Sequence, residues 1–509
     1  MSAATNTSKL STNAAGDRSS RALKADSFTF SLILMLGLTV LQRGVGFLRG
    51  ILFCRWLPPH ELGHWDLCFS FLLLAAPFLV LGLPGSFGRY VEHFRQRGQL
   101  RPFLTWTTLA ATVLASGGIL LGFLFAPRVS WFVFHDTQYA PLAVLILAVL
   151  ATVVAFNFLV ELFTALRQMR VVSGMQLTNS LMFAAAGGTL ILLWRPSVTA
   201  VVAAYGMACA TSVVIGGACA VRVWRQLPQE TALPQRDLWS RLAPFAAWVW
   251  LTNLTANLFS VADRYMIVHF SSYSTKEAAE LVGVYHSVAL VPLLMVAVAG
   301  MFSGMLLPYL SRDWEAGRKD VVGRNLNLTL KLVGLVLMAG GIVIMAAAPW
   351  IFERLFDGKF VGAPDVLPLA VAFCVWLGLS LVAQNYLWCA ERARLASLAY
   401  FVGLVVNVVL NLLLLPRLGL EGALLATAAA NAVGLSAVLV FSRRLGMRVH
   451  HGVWLIVLLP ATLTLGLIPA ACVWTLTIVL CASSRLVLSQ SERQWLNETI
   501  QRHLKLKQL

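Results

Sequence analysis

The chain has 509 residues, of which 59% are hydrophobic and only 12% charged, and its formal net charge is +17. About one quarter of the residues of a soluble domain are charged, so too few charges are present here to cover a soluble surface. The composition also excludes disordered, collagen-like and small disulfide-scaffold proteins. It predicts an all-α polytopic membrane protein.

The N-terminal 26 residues are polar and rich in Ser, Thr, Ala and Asn. We expect a disordered cytoplasmic tail there. The first apolar run begins near Phe28 and continues to Leu57, without the short apolar core and cleavage site of a secretory signal. This run therefore predicts a first membrane span.

Further apolar runs of about the length needed to cross the hydrocarbon core follow along the chain. The last two form one stretch interrupted by Pro469, which leaves thirteen spans as the alternative to fourteen. The fourteen predicted spans lie at about residues 28–54, 64–85, 103–126, 141–164, 171–194, 198–221, 242–262, 281–308, 326–350, 365–388, 396–415, 420–441, 453–467 and 469–484.

Basic residues are concentrated in every second loop. With a cytoplasmic N-terminus, the inner segments hold 28 of the 39 Lys and Arg residues, and the outer segments hold 8. This distribution follows the positive-inside rule and predicts that both termini are cytoplasmic. It also explains most of the net charge without a nucleic-acid partner.

Short motifs recur in the two halves of the chain at a nearly constant offset. Gly63 and Gly283 are 220 residues apart, and Tyr90 and Tyr309 are 219 apart. Parallel repeats of six spans around a central cavity are a transporter architecture. The predicted organisation is a tail (1–26), an N-lobe with spans 1–6 (27–221), a cytoplasmic connector (222–241), a C-lobe with spans 7–12 (242–441), spans 13 and 14 (442–488) and a cytoplasmic amphipathic helix (489–509).

That last helix begins with Ser489-Gln-Ser-Glu492, which has the pattern of a capping box. We expect a basic surface helix that anchors the C-terminus to the membrane.

Two arginines lie within the first span. An arginine at mid-depth costs roughly 2.5–3.5 kcal/mol on insertion, so Arg43 is expected to face a watery cavity or a partner. Arg49 follows about 9 Å further along the helix and is turned by about 120°, where snorkelling to the interface is the alternative. Because guanidinium groups bind phosphate bidentately, the predicted ligand is a phosphate or pyrophosphate.

Several polar residues in other spans have two interpretations. Asp263-Arg264 closes span 7 and is either a self-satisfied pair at the outer interface or an arginine that faces a cavity. Two asparagine pairs with i,i+4 spacing are expected to make interhelical hydrogen bonds, with cavity lining as the second option. These pairs are Asn253 with Asn257 and Asn407 with Asn411.

The remaining charges in the spans lie near the membrane surfaces. Lys331 and Glu161 are within about two turns of the cytoplasmic end, so we expect both to snorkel. Asp66 lies near the outer end of span 2, and no carboxylate is expected at mid-depth.

His60-Glu61-Leu62-Gly63-His64 matches the zinc-protease signature H-E-x-x-H. A zinc site needs both histidines on one helical face and a third ligand, but no third ligand stands out. Because Pro58-Pro59 precede His60, a turn and helix start is favoured, and an intramembrane zinc metalloprotease is a remote alternative. No Walker motif, nucleophile elbow or cofactor fingerprint is present, so we expect no enzyme activity, cofactor or metal.

Several of these segments also carry a likeness to a known family. They are Arg43-x-x-Gly46-Phe47-x-Arg49, Arg55-Trp56-Leu57-Pro58-Pro59-x-Glu61-Leu62-Gly63-x-Trp65, Gly82-Leu83-Pro84-Gly85-Ser86-Phe87-Gly88-Arg89-Tyr90, Asp263-Arg264-Tyr265 and Glu391-Arg392. Through them the chain resembles the multidrug/oligosaccharidyl-lipid/polysaccharide exporter superfamily. The likeness is greatest to its polysaccharide flippases of O-antigen type and to the related lipid II flippases.

The resemblance implies export of an undecaprenyl-pyrophosphate-linked oligosaccharide across the bacterial inner membrane by alternating access. In the lipid II flippases, basic residues of helix 1 engage the pyrophosphate; Arg43 and Arg49 match that pattern, and Arg264 is a looser candidate. A cation-coupled multidrug exporter of the same superfamily is the alternative. Expected partners are the lipid-linked glycan, membrane lipids, a polysaccharide polymerase, glycosyltransferases, and H⁺ or Na⁺ as the driving ion.

Overall fold

The computed structural model describes residues 28–227, 234–484, 486–490 and 492–494, with side chains from residue 37 onward. Within these ranges the chain is helical and contains no strand. The α-helices are α1 (Phe28–Trp56), α2 (Pro59–Leu79), α3 (Phe87–Gln96), α4 (Leu100–Leu124), α5 (Ala126–Phe134), α6 (Ala140–Ala165), α7 (Met169–Leu193), α8 (Val198–Gln226), α9 (Gln235–Phe270), α10 (Thr275–Leu290), α11 (Pro292–Glu315), α12 (Lys319–Ala346), α13 (Ala363–Ala383), α14 (Asn385–Cys389), α15 (Ala393–Arg444), α16 (His451–Leu458) and α17 (Leu467–Ser483).

The predicted spans correspond to these helices. Ten helices of the described chain are long and apolar enough to cross a membrane, and two shorter apolar helices follow near the C-terminus. Helix α15 contains two spans that meet at Gly419, whose φ is +57°. Glycine is strongly favoured at this junction, because φ +57° with ψ −133° is a conformation that residues with a Cβ rarely adopt.

Spans 13 and 14 are two separate helical segments. A 3₁₀ turn (Leu459–Leu465) follows α16, and Gly466, with φ +105°, separates it from α17. The break therefore lies at Gly466, whereas the sequence had indicated Pro469. Pro469 is accommodated in the first turn of α17, where a missing backbone N–H removes no intrahelical hydrogen bond.

The chain separates into two compact units, residues 1–257 and residues 258–509. In the first unit, small residues allow close helix packing. A Cβ at Gly187 would lie 2.8 Å from the ring of Phe53, and one at Gly206 would lie 2.6 Å from Val149. Such contacts stabilise helix pairs in a bilayer, where no hydrophobic effect acts between helices.

In the second unit, the span that contains α13 is the most enclosed of the candidate spans. Trp376 on this helix donates its indole hydrogen to the carbonyl of Val457 at 2.7 Å. Just beyond α13, Asn385 donates to the hydroxyl of Ser303 on α11 at 2.9 Å. These side chains satisfy polar groups that have no access to water in this position.

A buried ion pair ties the C-terminal segment to α12. Lys331 is fully buried, so the snorkelling expected for it is wrong. Its Nζ donates to both carboxylate oxygens of Glu492, at 2.9 and 2.8 Å, and lies 3.2 Å from Nδ1 of His450. The predicted capping box is confirmed, because Ser489 N donates to Glu492 Oε2 at 2.6 Å and Glu492 N donates to Ser489 Oγ at 3.3 Å.

The predicted amphipathic helix beyond residue 494 lies outside the described residues. Lys331 does not snorkel because the fold brings a carboxylate and an imidazole to it inside the protein. Gly452 fits beside this cluster, since a Cβ there would lie 2.1 Å from the carbonyl oxygen of Val487.

Two groups of this cluster, both outside the membrane spans, have displaced pKa values. Burial and the Lys331 charge lower the pKa of His450, whose Nδ1 accepts a hydrogen bond from the Gly452 amide at 3.1 Å. Burial opposes ionisation of Glu492, but hydrogen bonds from Lys331 and Ser489 outweigh it and lower the pKa of Glu492 overall. Both groups bind more protons when unfolded, so the stability they provide rises with pH.

We predict that acidification weakens the attachment of the C-terminal segment. The His450 contribution is complete above its unfolded pKa of about 6.5 and is lost as pH falls below that value. The Glu492 contribution is lost only at lower pH, as its depressed pKa is crossed. The thermal unfolding midpoint of the purified protein should decrease as the pH is lowered from 7.5 to 5.5. His450→Asn, which keeps a helix-capping side chain, should flatten that fall, whereas the neighbouring His451→Asn should not; equal slopes in both variants would contradict the assignment.

Candidate functional site

The two predicted phosphate-binding arginines lie on α1 in the first unit. Helix α1 is fixed to α7, because Ser180 donates to the carbonyl of Gln42 at 3.3 Å and Phe53 packs edge-on against Phe183 at 5.6 Å. Arg43 is exposed within its unit, and Arg49 is partly buried.

Arg49 is compensated by aromatic rings. Its guanidinium carbon lies 4.0 Å from the centre of the Phe183 ring, which in turn lies 5.0 Å from the ring of Tyr205 and 5.5 Å from that of Trp65. A cation–π contact of this kind stabilises the charge by about 0.5–2 kcal/mol while leaving the edge of the guanidinium able to donate hydrogen bonds. Among the described residues, no carboxylate lies within ion-pair distance of Arg43 or Arg49.

A polar cavity of about 380 Å³ lies in the same unit, lined by α2, α6, α8, the first part of α9 and the turn after α2. Its lining includes the polar side chains Asn157, Glu161, Asn253 and Asn257 and the aromatic rings of Phe69 and Tyr205. Amide, carboxylate and aromatic groups together are suited to a ligand with both hydroxyl groups and apolar faces. Tyr205 connects the cavity to the aromatic cluster around Arg49.

The predicted pair Asn253 and Asn257 lines this cavity. Asn257 also donates to the carbonyl of Leu73 at 3.2 Å, which joins α9 to α2. The close approach depends on the turn after α2, where Gly82 has φ +71° and a Cβ would lie 2.5 Å from the carbonyl oxygen of Ala246. Helix α9 is thereby positioned to complete the cavity wall.

Arg264, the looser candidate, lies in the second unit. Its side chain donates to the carbonyl of Ser260, and its guanidinium carbon lies 5.0 Å from the centre of the Tyr285 ring. Of the two interpretations of Asp263-Arg264, the self-satisfied pair is wrong, because the Asp263 carboxylate accepts its hydrogen bonds from α10 and α15.

Asp263 is the centre of a buried polar cluster and is only 1% exposed. Its Oδ1 accepts hydrogen bonds from Asn407 at 2.9 Å and Asn411 at 2.8 Å. Its Oδ2 accepts from Tyr285 at 2.9 Å and from Thr427 at 2.5 Å. The predicted pair Asn407 and Asn411 therefore does make interhelical hydrogen bonds, and the acceptor is a carboxylate about 10 Å inside the end of α9.

The cluster has the ligand chemistry of a small cation site. The amide oxygens of Asn407 and Asn411 are buried and have no hydrogen-bond partner in the described chain. A half-turn of either amide would direct its oxygen toward the carboxylate, an arrangement that is favourable when a cation lies between them. With Thr427 this gives an all-oxygen set of one net negative charge, which suits Na⁺ or a proton better than a divalent ion.

The H-E-x-x-H residues have structural partners. His64 is buried, with its ring 4.6 Å from Tyr139 and 5.5 Å from Phe134. Glu61 accepts a hydrogen bond from the backbone N–H of Val198 at 2.6 Å, where it satisfies the first turn of α8. No group of three His, Cys, Asp or Glu side chains suited to a metal was found within the described ranges.

The described part of the chain, with ten helices long and apolar enough to cross a membrane, defines the class of multi-pass membrane proteins. Similar folds occur in the lipid II flippase MurJ in its inward closed conformation, with a TM-score of 0.64 and 11% identity over 88% of this chain and 99% of that one. An inward-facing multidrug resistance MATE family transporter of the MOP superfamily gives a TM-score of 0.58 and 13% identity over 81% and 97%.

The chain belongs to the polysaccharide biosynthesis protein family, whose model matches residues 29–314. The similar folds agree with the superfamily that the sequence resembles. Among its relatives are the uncharacterized membrane protein MJ1068 of Methanocaldococcus jannaschii, 20% identical over 75% of this chain and 77% of that protein, and the uncharacterized membrane protein YabM of Bacillus subtilis, 26% identical over 40% and 38%.

We predict that Asp263→Leu destabilises the protein by at least about 3 kcal/mol, because four buried donors lose their common acceptor. Asp263→Asn should cost less, since one acceptor oxygen remains. The exposed Asp365 in the first turn of α13 provides a control, and Asp365→Asn should change stability by no more than about 1 kcal/mol. Thermal unfolding in detergent measures all three, and an unchanged midpoint for Asp263→Leu would refute the role given to the cluster.

Proposed function

We propose that the protein translocates an undecaprenyl-pyrophosphate-linked oligosaccharide from the inner to the outer leaflet of the bacterial inner membrane. The predicted N-lobe and C-lobe alternate in their access to the two sides, and both termini lie in the cytoplasm. The observation that carries this proposal is the pair of guanidinium groups on α1 without a carboxylate partner among the described residues.

The chemistry of the pyrophosphate supports this assignment. A pyrophosphate diester carries negative charge within a membrane and needs a desolvated cation to accompany it. Arg43 and Arg49 are about 9 Å apart along α1, so one can remain bound as the other engages during a movement along the helix. An aromatic contact at Arg49, in place of an ion pair, keeps this charge available to a ligand.

The polar cavity supports a glycan as the group next to the pyrophosphate. Sugars present hydroxyl groups at their edges and C–H groups on their faces. Asn157 and Asn253 offer amide donors and acceptors, while Phe69 and Tyr205 offer ring faces. We infer that the first sugars are held here and that Arg264 acts elsewhere in the transport cycle.

The test is export by variants of the two arginines. Arg43→Ala and Arg49→Ala should each reduce surface glycan by at least about tenfold in a strain that lacks the chromosomal copy, because one charged hydrogen-bond donor to phosphate provides about 1.5–3 kcal/mol. Arg49→Lys should keep partial function, since the charge is retained but the bidentate geometry is lost.

Arg128→Ala is the matched control, because Arg128 is an exposed arginine of the same unit whose guanidinium lies 5.0 Å from the Phe125 ring. Immunoblots of membranes verify equal amounts of each variant. Normal glycan export by both alanine variants would refute the assignment of the arginines to the substrate.

A second candidate function is that of a cation-coupled multidrug exporter. It is favoured by the buried Asp263, because a buried carboxylate in a membrane protein can bind a coupling cation. The two candidates differ in their cargo and are distinguished in one strain. Raised drug resistance on expression, together with normal surface glycans after deletion, would favour the exporter over the flippase.

We also propose that Na⁺ or H⁺ binding at the Asp263 cluster drives transport. In the purified protein, NaCl should raise the thermal unfolding midpoint above that in choline chloride if Na⁺ is the ion, and Asp263→Asn should abolish the difference. Asp365→Asn should retain it. If NaCl has no effect but transport collapses when the proton gradient is dissipated, the proton is the driving ion; if Asp263→Asn transports normally, the cluster is not the coupling site.

A further inference from the structure

A second, apolar recess lies on the first unit, beside the polar cavity, with which it shares Val154 and Phe158 of α6. A hollow of about 550 Å³ lies between α4, α6 and α8, and one of about 320 Å³ lies between α4 and α6. They share the side chains Thr108, Thr112, Phe158 and Leu159 and therefore form one continuous groove. Along α4 the groove extends from Leu104 to Ile119, which corresponds to about 22 Å.

This length is informative because half of a hydrocarbon core is only about 15 Å deep. The groove therefore accommodates one extended lipid chain along most of its length, from one membrane surface to beyond the midplane. Few side chains of the apolar part of α4 are buried, so the groove is open to the bilayer from the side.

One end of the groove is basic. Arg101 is in the first turn of α4, one turn before Leu104, and its guanidinium carbon lies 5.6 Å from the ring of Trp224, which lines the groove. A tryptophan beside an arginine at a span terminus is typical of the membrane interface, where lipid phosphates lie. The charge thus stands where the headgroup of a chain in the groove would be.

Hydroxyl groups follow the same side of α4 into the groove. Thr108, Thr112 and Ser116 have near-helical i,i+4 spacing, line the groove and are exposed in it. A polyisoprenoid chain has no acceptor for these hydroxyls beyond its terminal phosphate. A glycerophospholipid has ester carbonyls next to its phosphate. With the phosphate at Arg101, these carbonyls would lie further along α4, on the side of Thr108.

We propose that the groove between α4, α6 and α8 binds an anionic glycerophospholipid, with its phosphate on Arg101, its ester groups near Thr108 and one acyl chain extending toward Ile119. The bound lipid fills a gap between α4 and its neighbours. This site borders the polar cavity at Val154 and Phe158, but the lipid it binds is not the transported cargo.

The experiment measures lipid binding to the full-length, delipidated protein by native mass spectrometry. Dioleoyl phosphatidylglycerol and dioleoyl phosphatidylcholine have the same chains and differ in headgroup charge. The wild-type protein should bind the phosphatidylglycerol at least about tenfold more tightly. Arg101→Gln should bring that affinity to the level of phosphatidylcholine, while Arg222→Gln, at an exposed arginine of α8 outside the groove, should not change it.

Filling the groove provides a second, independent test. Thr108→Trp and Thr112→Phe should each reduce the binding of both lipids, whereas Val113→Trp, at a side chain of the same helix that is 63% exposed and outside the groove, should not. Elution of a variant as a single monodisperse peak confirms that it is folded. Reduced lipid binding by one folded groove variant is enough to support the proposal. Equal binding of the two lipids by wild type, no effect of either groove variant, or displacement of phosphatidylglycerol by undecaprenyl phosphate at equal concentration would overturn the proposal.

Discussion

A charge inside a bilayer must be compensated by the protein itself, because hydrocarbon supplies neither water nor counter-ions. This chain meets that constraint in three ways. Asp263 is surrounded by donors from four residues, Lys331 is paired with a carboxylate from the C-terminal segment, and Arg49 lies on an aromatic ring. The first two arrangements bind helices together, whereas the third leaves the charge able to donate hydrogen bonds to a ligand.

This difference separates charges that are fully paired within the protein from charges that can still bind a ligand. Lys331 makes a complete set of short contacts and has no capacity left for a transported molecule. Asp263 is saturated with donors, yet the two amide oxygens of Asn407 and Asn411 beside it have no hydrogen-bond partner among the described residues. Arg49 and the polar cavity near Tyr205 lie in one unit, and the buried carboxylate lies in the other. Cargo binding and ion binding would thus be functions of different halves of the chain.

Much of the fold follows from the sequence, since each span is an apolar run long enough to be recognised without its neighbours. The capping box at Ser489 and the asparagine pairs were predicted in the same way, from local spacing. The partners of these groups were not predictable. Lys331 was expected to reach the interface, because nothing in its own helix reveals that Glu492, 161 residues later, folds back onto it. For the same reason, a pair with the adjacent Arg264 was one of two interpretations left open for Asp263.

The sequence by itself therefore determined the spans and, through its basic loops and motifs, the family, because hydropathy and charge are local properties that the membrane selects one segment at a time. Only the tertiary structure decided which charges are neutralised and which are left available. That outcome rests on Coulomb and hydrogen-bond contacts between helices that are distant in sequence. The energies of these contacts decrease within a few ångströms of separation, so they depend on which side chains the fold brings together. The net charge of +17 was visible at once. The distinct roles of Arg49, Lys331 and Asp263 appeared only when their neighbours were in place.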